Sequence, residues 1–322
     1  MSKLQVTPLI EKYLNKIIRG DALKVLKTIP SESVDCVITS PPYWALRDYG
    51  VKGQIGLESS IDDYLEKLLL IFDEVRRVLK PAGTCWINFG DTYANTSKGG
   101  QTNKPQGNIF DSYSERSVIP KFKPKLRIPS KSLCMIPSRF AVRMIERGWI
   151  LRNEIIWHKP NAMPQSVKDR FTVDFEKLFF FVKNKNYYFK RQFEPLKDPK
   201  ELMRRYANPF ANHRYWKFDR TISKSLKSIK QSQEEILQRG RNKRCVWSIG
   251  NSASVSNHFA VFPPKLIETP ILAGCPRGGI VLDPFIGSGT TAVVAKKLDR
   301  NFIGIELNHE YITLARNRLK RK

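Results

Sequence analysis

A chain of 322 residues is long enough to bury a sizeable core, in one large domain or two unequal ones. Fifty-six Lys and Arg against thirty Asp and Glu leave a formal charge of +26, far more than solubility requires; this favours a polyanion partner, with nucleic acid first. No apolar run approaches the ~20 residues of a membrane span and the N-terminus lacks the apolar core of a secretion signal, so the expected setting is the cytoplasm. The five cysteines at 36, 85, 134, 245 and 275 are odd in number and contain no C-x-x-C pair, which argues against a disulfide framework and against a metal site.

Residues 15–21 read as a strand ending on Gly20-Asp21, followed by a short helix over 22–29. The β-branched run Val34–Ile38 reads as a buried strand, completing a β-α-β unit. It runs into Thr39-Ser-Pro-Pro-Tyr-Trp44. Polar residues at the C-terminal end of a strand stand where open α/β sheets place their ligands. Pro41 and Pro42 lack N–H groups, so the backbone there can only accept hydrogen bonds; Ser40 adds a hydroxyl, and Tyr43 and Trp44 add flat faces. That set suits an exocyclic amino group on a planar ring. The bland alternative is a proline-rich turn.

Apolar positions 61, 64, 65, 68, 69, 72, 75, 78 and 79 have the spacing of an amphipathic helix, with Ser60 and Asp63 as its capping box and Pro81 and Gly83 as its stop. Thr84–Phe89 is the next strand. From Tyr93 to Lys131 the periodicity is lost and the segment turns basic, which predicts a mobile loop. A helix near 137–147, a strand over 152–157 and an apolar strand over 176–183 follow. Residues 183–244 carry eighteen Lys or Arg against six Asp or Glu, a net +12, interleaved with Tyr187, Tyr188, Phe189, Phe193, Tyr206, Phe210, Tyr215, Trp216 and Phe218. Cations among aromatics suit a surface that grips phosphates and offers faces to bases, although such aromatics also form the core of small basic domains.

Near the end, Gly279–Asp283 is a strand, Pro284–Gly289 a tight loop, Thr290–Leu298 a helix and Asn301–Glu306 a strand closed by an acid. A glycine loop at a helix N-terminus admits a ligand to the backbone and attracts an anion, and an acid closing the next strand binds ribose hydroxyls. The site therefore suits a nucleoside carrying a carboxylate or phosphate. Gly287-x-Gly289-x-x-Ala292 also fits the loose dinucleotide fingerprint. Only about forty residues remain from there, so further strands of a nucleotide-binding sheet must come from the N-terminus. The domain is thus expected to be a circularly permuted Rossmann-like α/β fold, with Asp21 beside Glu306.

Gly20-Asp21-Ala22, Ser40-Pro-Pro-Tyr43, Trp157-His-Lys-Pro-Asn161, Asp283-Pro-Phe-Ile-Gly-Ser-Gly289-Thr-Thr291 and Gly304-Ile-Glu306, in this order, closely resemble the beta class of amino DNA methyltransferases, in particular those forming N4-methylcytosine. The resemblance covers nearly the whole chain. It implies an S-adenosylmethionine-dependent methyltransferase fold with an inserted target-recognition region. It also implies that Phe285, Gly287, Ser288, Gly289 and Thr290 line the methionine end of the cofactor pocket, with Asp283 at the ammonium, Glu306 at the ribose and Asp21 at the adenine. Phe262-Pro263 matches the segment that begins the helix before the glycine loop. His258-Phe-Ala260 departs from the His-Pro that relatives often show.

Catalysis is then expected from Ser40, Pro41, Pro42 and Tyr43 on a base flipped from double-stranded DNA, with DNA contacts from Trp44, Lys159, Arg204, Arg205, Arg214 and Arg220. The implied organisation is a catalytic domain in three parts (1–92, 132–183 and 251–322) interrupted by the loop 93–131 and a recognition region 184–250. N6-adenine methylation is the nearest alternative. A nicotinamide-dependent oxidoreductase or a catalytically dead DNA-binding protein is more distant, because the first leaves Ser40–Tyr43 and the charge unexplained and the second leaves every catalytic position filled without use. A cognate restriction endonuclease acting separately, and a monomeric or homodimeric state, complete the expectation.

Overall fold

The structure, a computed structural model, describes residues 8–46, 48–94, 128–196, 239–251 and 262–320. Most of the loop expected over 93–131, the four arginines at 204, 205, 214 and 220, and His258 lie outside the described residues. Two compact units are present: residues 1–190 with 245–322, and residues 191–244.

The larger unit is built on an eight-stranded sheet. In chain order its elements are α1 (Pro8–Glu11), β1 (Lys16–Arg19), α2 (Ala22–Leu26), β2 (Val34–Thr39), α3 (Ile61–Val78), β3 (Leu79–Phe89), α4 (Ile136–Glu146), β4 (Ile150–His158) and β5 (Phe175–Val182). The smaller unit contributes β6 (Phe193–Glu194) and β7 (Arg241–Asn242), and the larger resumes with β8 (Val246–Ser248), α5 (Pro264–Gly274), β9 (Ile280–Asp283), α6 (Thr290–Lys297), β10 (Asn301–Glu306) and α7 (His309–Lys320). The strand order is β1-β10-β9-β2-β3-β5-β4-β8. All neighbours pair in parallel except β5, which is antiparallel to both β3 and β4. The C-terminal strands β9 and β10 thus sit between β1 and β2 of the N-terminal part, as the circular permutation requires.

Strand composition follows from burial on both faces. Val37, Cys85, Ile87, Phe89, Phe179, Phe181 and Leu282 point into one apolar layer with α2, α3 and α4. Their neighbours Cys36, Ile38, Trp86, Leu178, Phe180 and Val281 point into the other with α5, α6 and α7. Two covered faces explain why these strands are apolar throughout instead of alternating. The helix after β2 and the helix after β9 leave on opposite faces, so a crevice opens between these adjacent strands at their C-terminal ends.

The expected cap of α3 is present: Ser60 Oγ accepts from the Asp63 N–H and donates to the Asp63 carboxylate. Its expected stop is displaced, since Pro81 and Gly83 lie inside β3, which starts directly at Leu79 and bulges against β2 between Val34 and Cys36. Two aromatics expected to face bases are structural. Phe189 stacks on Phe180, which stacks on Trp86 at 3.9 Å, and Tyr187 packs edge-on against Phe180. In the smaller unit Glu194 binds Arg241 and Arg244 at 2.7 and 2.6 Å, closing the β6–β7 ribbon.

Candidate active site

Asp283 ends β9 with its side chain 1% exposed. Its carboxylate accepts from Thr39 Oγ1 at 2.7 Å, Thr291 Oγ1 at 2.6 Å and the Phe285 N–H at 3.0 Å. Burial pushes the carboxyl up to about 6, against the three hydrogen bonds, which favour the ionised form. Its oxygens are engaged by the chain itself, and it ties the end of β2 to the start of the glycine loop and to α6.

The loop that follows is shaped by two left-handed glycines. Gly287 has φ 51° and open space where a Cβ would stand, whereas a Cβ on Gly289 (φ 84°) would come within 2.7 Å of the Ala315 Cβ on α7. Ile286 N–H donates to the Ile305 carbonyl, anchoring the loop to β10. Ser288 and Thr290, expected to meet the ligand, are buried and their hydroxyls accept from Arg318 Nη1 at 2.8 and 3.0 Å. Arg318 is thereby a brace from α7; its guanidinium also takes the Ser288 carbonyl at 2.9 Å. Thr290 and the bare loop backbone stand at the N-terminus of α6, where unpaired N–H groups attract negative charge.

Glu306 ends β10 and accepts from Gly287 N–H at 2.9 Å and Asn308 N–H at 2.7 Å, one donor per oxygen. Each oxygen retains acceptor capacity, and burial pushes the carboxyl above its usual range. β1 pairs with β10 so that Arg19 stands opposite Glu306, and Gly20 N–H donates to the Glu306 carbonyl at 3.0 Å. Asp21 is therefore next to Glu306 at the same sheet edge. Its Oδ1 caps α2 through the Lys24 N–H at 2.9 Å. Phe285 packs half-buried against the α2–α4 layer, while Phe262 leans on the α5–α7 layer and Pro263 opens α5.

Beyond Thr39 the chain turns through Ser40-Pro41-Pro42-Tyr43. Tyr64 Oη on α3 donates to the Pro42 carbonyl at 2.7 Å, and Glu58 accepts from the Gly56 N–H at 2.8 Å while its carbonyl accepts from Trp44 Nε1 at 3.0 Å. Trp44 is 2% exposed and belongs to the core, so the expected DNA contact is corrected: its indole anchors the motif from beneath. The half-buried Tyr43 ring lies parallel to Phe89 with centroids 6.0 Å apart, and a Cβ at Gly90 would come within 2.5 Å of it. Tyr43 Oη receives Ser40 Oγ–H at 3.3 Å and donates to Glu176 Oε2 at 2.8 Å, with Asn88 Oδ1 at 3.3 Å.

Lys159 is corrected as well. Its ammonium pairs with Glu176 and sits 4.4 Å from the centroid of the Trp157 ring, largely shielded from solvent. Glu176, Asn88, Gly90, Tyr64, Glu58 and Arg318 were not singled out from sequence. Only Glu176, the one acid in a strand that is apolar apart from it and Lys177, carried a legible signal. Among the described residues no His, Cys, Asp and Glu cluster could hold a metal, and no helix is long and apolar enough to cross a membrane.

A family described as DNA methylase matches residues 34–317. The type II methyltransferase M.SmaI of Serratia marcescens is 42% identical over 310 residues, 95% of this chain and 91% of its own. M.Cfr9I of Citrobacter freundii, also a type II methyltransferase, is 41% identical over 305 residues, 94% of this chain and 87% of its own. Among solved structures, PvuII DNA methyltransferase (cytosine-N4-specific) shares the fold with a TM-score of 0.61 at 22% identity, covering 94% of this chain and 85% of that one. TTHA0409 of Thermus thermophilus, complexed with S-adenosyl-L-methionine, aligns with a TM-score of 0.56 at 25% identity, over 94% of this chain and 92% of that one. With a permuted sheet, a glycine loop facing an acid-capped strand and Ser-Pro-Pro-Tyr beside them, the chain belongs to the N6/N4 family of DNA methylases and is a DNA methyltransferase.

Proposed function

We propose that this methyltransferase transfers a methyl group from S-adenosylmethionine to the exocyclic N4 of a cytosine flipped from double-stranded DNA. The observation that carries the reading is the bond between Thr39 and Asp283. It joins the strand end bearing Ser40-Pro-Pro-Tyr43 to the strand end bearing the glycine loop, across the crevice where β2 and β9 adjoin.

The residues present fit the cofactor. Gly287 leaves its backbone uncovered, the start of α6 favours a carboxylate, Glu306 keeps lone pairs for two hydroxyls, and Phe285 and Asp21 border the same edge. S-adenosylmethionine, when bound, supplies a methyl group on an electrophilic sulfonium. Ser40 and the Pro41 carbonyl are the acceptors for the two protons of the base's amine. Taking both hydrogen bonds favours pyramidal nitrogen and frees a lone pair otherwise delocalised into the ring. Positioning supplies much of the rate, since direct displacement requires no covalent enzyme intermediate. The Tyr43 face offsets part of the few kcal/mol that unstacking costs.

Serine at the first motif position supports cytosine over adenine. Nucleoside mass spectrometry of plasmid DNA from an expressing host should find N4-methylcytosine; N6-methyladenine in its place would overturn the base assignment. Residues 183–244, with their +12, are proposed to choose the sequence, Arg204, Arg205, Arg214 and Arg220 reading base edges and the lysines holding phosphates. The type II names of the relatives support a separate restriction endonuclease recognising the same sequence, both acting in the cytoplasm.

A further inference from the structure

We infer that Glu176, held by Lys159, is a positioning residue for methyl transfer that acts through Tyr43 to make the Ser40 hydroxyl an acceptor toward the target amine. This rests on the proposal that Ser40 meets that amine. Glu176 lies on β5 and Lys159 directly follows β4, away from both Ser40–Tyr43 and the glycine loop.

The direction of the chain follows from what each group can do. An ionised carboxylate can only accept, and so can Asn88 Oδ1, whose amide is oriented by Nδ2 donating to the Lys177 carbonyl at 3.2 Å. Tyr43 has one proton for these two acceptors. The 2.8 Å bond to the charged Glu176 prevails over the 3.3 Å approach to neutral Asn88. With its proton committed there, the Tyr43 oxygen is left as an acceptor, and Ser40 Oγ–H is its donor. At 3.3 Å that link is long, so its contribution is direction; catalytic hydrogen bonds commonly tighten once substrate is bound. The Ser40 lone pairs then face the one group in this reaction that needs acceptors, an amine with two N–H donors.

Lys159 holds the Glu176 carboxylate in place. Its ammonium pairs with the carboxylate and rests over the Trp157 ring, while its backbone N–H donates to the Asp174 carbonyl at 2.7 Å. Burial, with the Glu176 charge, holds the Tyr43 phenol well above its ordinary range, so Tyr43 remains a donor. Glu176→Gln is nearly isosteric but removes the lock. The amide can donate to Tyr43, which frees the Tyr43 proton to go to Asn88 Oδ1 or to Ser40, and in the second arrangement Ser40 no longer points its proton away from the amine.

The test is steady-state methylation of plasmid DNA by full-length Glu176→Gln, Tyr43→Phe and the double variant, with cofactor binding by calorimetry. Glu176→Gln should lower kcat about tenfold or more with KM for DNA and cofactor affinity changed less than about twofold. Because Glu176 acts only through the Tyr43 hydroxyl, the double variant should fall no further than about threefold below the worse single variant. Multiplying single effects, or loss of cofactor binding alongside kcat, would overturn the inference. If Glu176→Gln melts below assay temperature, Lys159→Met provides the reading. It should lower kcat with KM for DNA unchanged, whereas a raised KM and a weaker salt dependence would make Lys159 a phosphate contact and defeat the proposal. The rates are read on whichever methylated base is found, so an N6-methyladenine product would overturn the base assignment and leave this test intact.

Discussion

Asp283 ties the strand end that carries Ser40-Pro-Pro-Tyr43 to the glycine loop from inside the fold. Three donors converge on a carboxylate that is almost wholly buried, and the group is nevertheless pushed up to about 6. A carboxyl that ionises less readily folded than unfolded stabilises the fold while protonated. That contribution is complete below the ordinary 3.8 and is lost as pH rises through about 6. Asp283→Asn mimics the protonated form, and the Thr291 hydroxyl can turn to accept from the amide. The stability of the native enzyme relative to this variant should therefore rise by roughly 2.4 kcal/mol between pH 7 and pH 4 in urea unfolding. A difference independent of pH would mean that Asp283 ionises as an ordinary carboxylate. Gly90 offers a second residue-scale test: a Cβ there would stand 2.5 Å from the Tyr43 ring, and the ring must shift. Gly90→Ala should cut kcat at least about tenfold while calorimetry finds cofactor affinity intact. An unchanged kcat would remove Tyr43's position from the requirements of catalysis.

At the scale of elements, the glycine loop is held between two helices. α6 begins at Gly289 in a left-handed conformation, and α7 presses Ala315 against that glycine while Arg318 takes the Ser288 and Thr290 oxygens. Gly289→Ala combines backbone strain of about 1–2 kcal/mol with a collision against α7. It should weaken S-adenosylmethionine binding by about tenfold or more in calorimetry, and normal affinity would show that the loop is not the cofactor's seat. The core beneath the catalytic motif depends on α3, whose Phe72 packs edge-on against Phe140 of α4 at 5.2 Å. Phe72→Ala should cost about 3–5 kcal/mol by leaving a cavity under β2 and β3, read as a lower urea midpoint at unchanged slope. A loss below about 1 kcal/mol would mean that the α3–α4 contact collapses to fill the space.

For the whole molecule the excess of cations is the dominant property, and close to half of it falls on residues 183–244. Phosphate contacts weaken steeply with salt, while base contacts discriminate by about 1–3 kcal/mol per bidentate pair. Grafting residues 183–244 onto a methyltransferase of different specificity should transfer this enzyme's methylated sequence, mapped by sequencing of modified sites. An unchanged target would locate sequence reading elsewhere in the chain.

The sequence by itself determined the alternation of strands and helices, the capping box at Ser60, the permuted order of the two motifs and hence the reaction class. These are local or serial properties: period, turn chemistry and motif spacing are written along the chain. It also sufficed to set Asp21 beside Glu306, because a parallel sheet leaves few ways to continue β9 and β10. Only the tertiary structure decided which partners the side chains of these motifs take. Trp44, Ser288, Thr290 and Lys159 have the chemistry of contact residues, yet packing turns each toward Glu58, Arg318 or Glu176. Glu176 is 133 positions from Tyr43 and reaches it because β5 inserts antiparallel beside β3. A pairing between distant strands leaves no periodic trace in either segment, so the bond between Glu176 and Tyr43 becomes visible only once the sheet is assembled.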